Sequence, residues 1–269
     1  MKKNLYFTCA ALLMASCSMK TYYQVVDVKS TNLQKESNNY VYNDGVCKIV
    51  YNFWGNGGNA GFTIENLSDE IIYVDMEKSF YIENGIANDY YRARIYGAGK
   101  DVKLVVAASI ASGYSSDIAY MEKPIVAIPP HALKSFSEYE IIEDAIQDCA
   151  VKMMVKKNQP DGIVYTESES PIKFKNYITY KNGENGATKE VSNDFYIGGF
   201  TNYISSDIIK TRKRGCKQTV TKTYNEKYAS DRFYWKYNNT TSNDNSADAK
   251  ASSTKSSSND MYKYKKNNQ

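Results

Sequence analysis

Apolar and polar residues alternate along much of the chain, and this period of two predicts β-strands that bury one face. In the segment 46–53, apolar residues fall at every second position from Cys47 to Phe53. The preceding Asn43-Asp44-Gly45 has the composition of a hairpin turn, because glycine accepts the positive φ that tight turns require. From Tyr40 onward, strand segments recur roughly every 8 to 12 residues, a spacing typical of a sandwich or a barrel.

Turn residues separate the other predicted strands. These strands cover residues 22–26, 40–42, 62–67, 71–74, 80–82, 104–111, 120–128, 137–142, 172–180, 191–204 and 233–237. The segments 172–180 and 191–204 are predicted to form one long hairpin, because residues 182–186 have turn composition.

Two stretches predict helices instead. In residues 143–154, Ile146, Ala150 and Met153 are spaced by three and four positions, as on one face of a helix. A shorter helix is predicted around residues 225–230. The tail 238–269 contains no Leu, Ile, Val or Phe, so it cannot bury enough apolar surface to order itself and is predicted to be disordered.

These elements predict an all-β fold, rich in strands with minor helix content. Residues 40–130 are predicted to form an antiparallel, immunoglobulin-like (Ig-like) β-sandwich. Residues 131–237 are predicted to add the helix and the long hairpin, either packed on the sandwich or as a second lobe. Residues 17–39 supply a tether and the first strand.

The N-terminus has the features of a secretory signal peptide over residues 1–16. Lys2 and Lys3 precede a mostly apolar stretch, 5–15, that is shorter than the ~20 residues needed to span a bilayer. The sequence Met14-Ala15-Ser16-Cys17 resembles the lipobox of bacterial lipoproteins. This resemblance implies cleavage before Cys17 and attachment of a diacylglyceryl group and a further acyl chain such as palmitate, which together give a stable membrane anchor.

The residues after Cys17 indicate a location. Ser18 is similar to the sorting signal that sends lipoproteins to the outer membrane, and no acidic residue occurs before Asp27. Surface-exposed lipoproteins of the Bacteroides group have a short acidic run at this position. We therefore expect an outer-membrane lipoprotein that faces the periplasm, with the cell surface as the alternative.

Two resemblances extend beyond the anchor. The segment 62–85 resembles bacterial Ig-like modules in its aromatic residue, its Asn66 turn and the β-branched strand that follows. Over most of residues 1–237 the chain also resembles lipoproteins of the Bacteroides group that have no assigned activity, through 46–54, the Asn66 turn and 79–91. This resemblance implies a class and a cell-envelope location, but no mechanism.

Composition excludes several functions. The chain is 42% hydrophobic and 24% charged, as in ordinary globular proteins. Its formal net charge of +4 falls to +2 without Lys2 and Lys3, which argues against a nucleic-acid partner. With a single histidine, His131, and no Cys-x-x-Cys or His-Glu-x-x-His motif, no metal site is predicted. The glycine-rich Gly55–Gly61 segment joins two strands instead of opening a helix, so it is interpreted as a mobile hairpin loop and no cofactor is predicted.

Cysteines and carboxylates leave alternatives open. Cys47, Cys149 and Cys216 are disulfide candidates in an oxidising compartment, and one bond between them has three possible pairings. The carboxylates clustered in 138–144 could serve an envelope hydrolase if two of them faced each other across a cleft.

Aromatic residues supply the candidate binding surface. Trp54, Tyr90, Tyr91 and Trp235 could stack on a sugar or a protein partner, although for any one of them a cross-strand pair that holds the sheets together is the favoured interpretation. No catalytic residues are predicted. The sequence thus predicts a lipid-anchored, non-enzymatic binding module whose partner is an envelope protein or a glycan. A carbohydrate-binding surface lipoprotein is the first alternative, and an envelope hydrolase the second.

Overall fold

The computed structural model describes residues 20–96, 120–214, 219–224 and 229–238. Within these ranges the chain forms seventeen strands and one short helix. They are β1 (Thr21–Ser30), β2 (Gln34–Glu36), β3 (Asn39–Asn43), β4 (Cys47–Tyr51), β5 (Phe62–Asn66), β6 (Ile72–Glu83), β7 (Ile86–Asp89), β8 (Ile95–Tyr96), β9 (Tyr120–Met121), β10 (Ile125–Ile128), β11 (Leu133–Phe136), β12 (Asp161–Val164), β13 (Lys173–Asn182), β14 (Thr188–Ile204), α1 (Ser205–Ile208), β15 (Ile209–Arg214), β16 (Thr219–Tyr224) and β17 (Arg232–Asn238).

Two antiparallel sheets enclose the core. The larger sheet has the order β10-β6-β13-β14-β1-β17, with β7 beside β6 and β12 beside β14, and the smaller has the order β11-β5-β4-β3-β2. Aromatic rings meet between them: Phe195 of β14 lies 4.8 Å from Tyr51 of β4 and 5.0 Å from Phe53, measured between ring centroids. The predicted all-β class is confirmed.

The hairpin of β3 and β4 forms as its sequence predicts. Gly45 has a φ of +83°. Asp44 Oδ1 accepts hydrogen bonds from the backbone N–H groups of Val46 and Cys47 at 3.0 and 2.7 Å. These bonds fix the turn, and the alternating residues Cys47, Ile49 and Tyr51 then point into the core, where each is fully buried.

A single long strand, β6, replaces two of the predicted strands, 71–74 and 80–82. The polar residues between them form a bulge and not a turn, because Ser79 replaces part of the backbone pairing. Its hydroxyl donates to the carbonyl of Asp75 at 2.5 Å and accepts from the backbone N–H of Thr179 at 3.0 Å. The register against β13 shifts at this point.

The predicted hairpin of 172–180 and 191–204 is confirmed as β13 and β14, and it forms the centre of the larger sheet. β14 pairs with β13 and β12 along one side and with β1 along the other. Strands of the region 40–130 and strands of the region 131–237 therefore belong to the same sheet, which also includes β1 from the N-terminal segment.

The helix predicted over 143–154 is wrong. Residues 137–160, which we call the strap, run irregularly across the core. Gln24 on β1 binds both polar groups of the Ile146 backbone, donating to its carbonyl at 2.9 Å and accepting from its N–H at 2.8 Å. Asn202 on β14 donates to the carbonyl of Lys152 at 3.0 Å. Buried side-chain amides thus satisfy backbone groups that a helix would pair internally.

The strand predicted over 137–142 is also wrong. A strand, β11, ends at Phe136, just before this segment. Within residues 137–142 the only β-type pairing is an isolated bridge between Glu140 and Asn59. Ile141 and Ile142 are buried as part of the strap and contribute to the core.

Several sequence predictions lie outside the described residues. These are the leader 1–16, Cys17, the strand predicted over 104–111, Cys216, residues 225–228 of the second helix and the tail after residue 238. In the part of the chain that is described, no helix is long and apolar enough to cross a membrane.

Candidate functional site

The structure places one of the predicted binding aromatics, Tyr90, in the core. Tyr90 is 1% exposed, and its hydroxyl donates to the side-chain carbonyl of Asn176. Its ring meets Phe62 edge-on, with centroids 5.5 Å apart. The prediction that Tyr90 binds a ligand is therefore wrong, because its ring faces the protein interior.

The other three aromatics, Trp54, Tyr91 and Trp235, are half-buried and do not form one platform. Trp54 packs on Tyr234, with centroids 5.2 Å apart. Tyr234 and Trp235 are neighbours on β17, so their side chains lie on opposite faces of the sheet. Tyr91 and Trp235 pack against the main core. These rings act mainly as packing residues.

The Gly55–Gly61 segment joins β4 to β5, as the hairpin-loop interpretation requires, but it is not a free loop. Gly57 donates its N–H to the carbonyl of Tyr234 at 2.9 Å and accepts from the N–H of Ile142 at 2.9 Å. Gly58 has a φ of +79°, and a Cβ there would lie 2.8 Å from the Phe233 ring. The segment is thus held between β17 and the strap, so its interpretation as a mobile surface is wrong.

Cys47 and Cys149 are both free thiols, the first buried and the second exposed. Each of the three predicted disulfide pairings includes Cys47 or Cys149. Because both thiols are free, none of these pairings is present in the structure. Burial, together with the nearby Asp44 carboxylate, raises the pKa of Cys47 to about 12. The Cys47 thiol therefore stays protonated and packs as a small apolar group.

Among the carboxylates of 138–144, Glu138 is engaged by a cation. Glu138 forms an ion pair with Arg94, which also binds Glu122 at 2.5 Å. Burial alone would raise the pKa of Glu122, but the hydrogen bonds from Arg94 and from two backbone N–H groups outweigh it and lower the pKa. Within the described residues, no group of three or more His, Cys, Asp or Glu side chains could hold a metal ion.

A groove that the sequence did not predict lies on the face of the larger sheet that points away from the smaller sheet. We call it the Tyr196 groove. It has a volume of about 400 Å³, and its lining includes Thr31, Ile82, Gly85, Glu167, Lys173, Lys175, Asp194 and Tyr196. Alternation creates it: Phe174 and Phe195 point into the core, so the residues that flank them on β13 and β14 point outward.

One side of the groove is fixed by hydrogen bonds. Lys175 pairs with Asp194 at 3.2 Å. Asn32 donates from Nδ2 to the Asp194 carboxylate at 3.2 Å and accepts from the Asp194 N–H at 3.0 Å. The Asp194 carboxylate is therefore engaged by two partners, and the corner between β1 and β2 is held against β14.

The remaining polar groups of the groove floor are available to a ligand. Among the described residues, the side chains of Lys173 and Tyr196 make no hydrogen bond or ion pair with the protein. The same is true of Lys29, which lies next to Tyr196 on the neighbouring strand β1. An aromatic ring with an unpaired ammonium group on each flanking strand can contact a ligand that has both an apolar face and negative charge.

Comparison with known protein families, curated proteins and solved structures gives no match for this chain. The candidate site therefore depends on its own geometry. Sequence reasoning missed it because Lys29, Lys173 and Tyr196 are far apart in the chain and meet only through the register of β1, β14 and β13. The available signal was the alternation of Lys173 and Lys175 with buried residues, which is equally typical of any solvated sheet face.

Proposed function

We propose that the protein is a lipid-anchored binding module of the cell envelope, which holds a ligand in the Tyr196 groove without changing it chemically. The observation that carries this proposal is the pair of unengaged groups Lys173 and Tyr196 on a groove floor made of hydrogen-bonded strands. Groups on central strands are held more precisely than groups on loops, which favours a preformed binding site.

The position of the groove along β1 supports this role. A lipid on Cys17 would hold the start of β1, Thr21, near the membrane. Lys29 lies eight residues further on, and an extended strand rises about 3.3 Å per residue, so the groove is roughly 26 Å further along the strand. The anchor would confine the groove to the membrane plane and raise its effective concentration for an envelope partner.

The anchor is tested with Cys17→Ala in cells. We expect the unaltered protein in the membrane fraction, released by detergent, and the variant in the soluble fraction. A variant that stays in the membrane fraction would contradict lipid anchoring at Cys17.

The binding role is tested by placing a photoreactive amino acid at Thr31, on the groove wall, in the full-length chain. Lys134 on β11, an exposed lysine of the smaller sheet, is the matched control position. Irradiation of living cells should produce a defined adduct from position 31 and none from position 134. An anchored protein that gives no adduct from position 31 would refute the groove as a binding site.

Protease treatment of intact and of permeabilised cells distinguishes the two orientations. We expect protection in intact cells, as for a protein that faces the periplasm. Digestion of intact cells would instead favour the alternative, a carbohydrate-binding lipoprotein on the cell surface.

A further inference from the structure

A positively charged row crosses the open part of the larger sheet, centred on Tyr196. The register pairs Tyr196 with Lys29 on β1 and with Lys173 on β13. Paired residues of antiparallel strands point to the same face, so the ring has a lysine on each side. The two lysine Cα atoms are two strand spacings apart, roughly 10 Å.

Gly198 gives Lys29 a defined position. A Cβ at Gly198 would lie 2.8 Å from Cγ, Cδ and Cε of Lys29, so the lysine stem occupies the space that a side chain would need. Lys29 therefore extends the positive surface beyond the ring, while Lys173 lines the groove on the other side.

The charges that face the groove leave a positive excess. Its cations are Lys173 and Lys175, with Lys29 adjoining, and its carboxylates are Asp194 and Glu167. Lys175 neutralises Asp194 at 3.2 Å. Glu167 is exposed on the wall and, among the described residues, has no ion pair. Lys29 and Lys173 thus outnumber the single unpaired carboxylate.

We propose that the Tyr196 groove binds an acidic polysaccharide, with one sugar ring stacked on Tyr196 and acidic groups paired with Lys173 and Lys29. The carbon-bound hydrogens of a pyranose give it an apolar face that can cover an aromatic ring, and carboxylate or sulfate groups complement the two ammonium groups. A volume of about 400 Å³ is within the usual range for small-ligand sites and suits a short stretch of such a chain.

The chemistry favours a glycan over a protein partner. Protein interfaces depend on clusters of large apolar anchors that reach out to the partner. The groove is lined by Ile82, Phe174 and Phe195 beside Tyr196, but Phe174 and Phe195 are each only 2% exposed and belong to the core. This inference rests on the proposed function, since it assigns a ligand class to the same groove.

The test uses the purified full-length protein in detergent and three immobilised probes: polygalacturonate, chondroitin sulfate and neutral dextran. We expect binding to at least one acidic chain, weakening as salt rises because salt screens exposed charges, and no binding to dextran. Lys29→Gln and Lys173→Gln should each lower affinity by about two- to fivefold, as for exposed ion pairs. Tyr196→Ala should lower it by about tenfold, and Tyr196→Phe should retain it.

Two further variants sharpen the result. Glu167→Gln should raise affinity for acidic chains, because it removes the unpaired negative charge on the wall. Lys134→Gln, the control on the smaller sheet, should change neither affinity nor salt dependence. Thermal unfolding of every variant verifies the fold, which substitutions on this outer face are expected to leave intact.

The outcomes separate this inference from the proposed function. Equal binding to dextran and the acidic chains, or full affinity in both Lys173→Gln and Tyr196→Ala, would overturn the acidic-polysaccharide assignment. A position-31 adduct with an envelope protein, together with no polysaccharide binding, would overturn the ligand class but keep the groove as a binding site. If position 31 gives no adduct and the protein also binds no polysaccharide, both the acidic-polysaccharide assignment and the proposed binding function are overturned.

Discussion

Gln24→Leu should remove the hydrogen bonds that hold the strap against β1, while the volume of the buried side chain changes little. Gln24 is fully buried on β1. It makes three hydrogen bonds, two to the Ile146 backbone and one to the side chain of Asn202 at 3.1 Å. Leucine has a similar volume but can make none of them. The substitution therefore leaves three polar groups without their partner, while it adds an apolar side chain to a buried position.

The expected cost follows from the number of bonds. A typical hydrogen bond contributes about 1 kcal/mol net, so loss of three lowers the free energy of unfolding by about 3 kcal/mol. Because Ile146 is half-buried, water can reach part of the freed backbone, which keeps the loss below the cost of three fully buried orphan groups.

Urea denaturation measures the loss, with Gln34→Leu as the matched control. Gln34 is an exposed glutamine on the edge strand β2, and its substitution should change stability by less than about 0.5 kcal/mol. Hydrogen exchange adds a local measurement: the Ile146 amide should exchange much faster in the Gln24 variant. Equal stability of the two variants, or unchanged exchange at Ile146, would refute the idea that Gln24 holds the strap.

Three further predictions concern protonation, thiol access and backbone conformation. Burial alone would raise the pKa of Asp44, but the hydrogen bonds it accepts outweigh this and hold the pKa at about 2, against an ordinary 3.8. This lowered pKa adds about 2 kcal/mol of stability above pH 4, which is lost as the pH falls towards 2; urea unfolding should show this loss, and an unchanged acid loss in Asp44→Asn would contradict it. Native protein should be alkylated at Cys149 and not at Cys47, which should react only in denaturant; mass spectrometry of labelled peptides checks this, and native labelling of Cys47 would show that the core is open. Gly58→Ala should lower the melting temperature more than Gly45→Ala, because both positions have positive φ but only Gly58 also faces a ring at 2.8 Å; equal losses would mean that the ring moves aside.

Local patterns predicted the strands whose partners are close in the chain. The turn at Asn43-Asp44-Gly45 and the alternation in β4 are satisfied by neighbouring residues, so the sequence contains all the information needed. The strap shows the opposite case. Ile146, Ala150 and Met153 have helical spacing, but the backbone between them is bound by Gln24 and by Asn202, both more than 45 residues away.

The candidate site was hidden for a related reason. Lys173 could be assigned to a strand and to its outer face from alternation alone. Its placement beside Tyr196, and that of Tyr196 beside Lys29, depends on the register of three strands, which is set by long-range pairing. The prediction that Tyr90 binds a ligand was wrong for the same reason. Whether its ring is buried depends on which parts of the fold cover it, and long-range pairing decides that.

The place of β1 in the larger sheet has a consequence for how the chain folds. β1 lies between β14 and β17, and the Thr21 hydroxyl donates to the side chain of Asn238, 217 residues away. Such non-local pairing slows folding, because the second edge of β1 stays unpaired until β17 has been synthesised. Chains that end before Arg232 leave one edge of β1 unpaired, and an open edge of this kind pairs readily with other chains. Truncation near the C-terminus should therefore yield aggregates, even though the missing strand β17 contributes no residue to the lining of the groove.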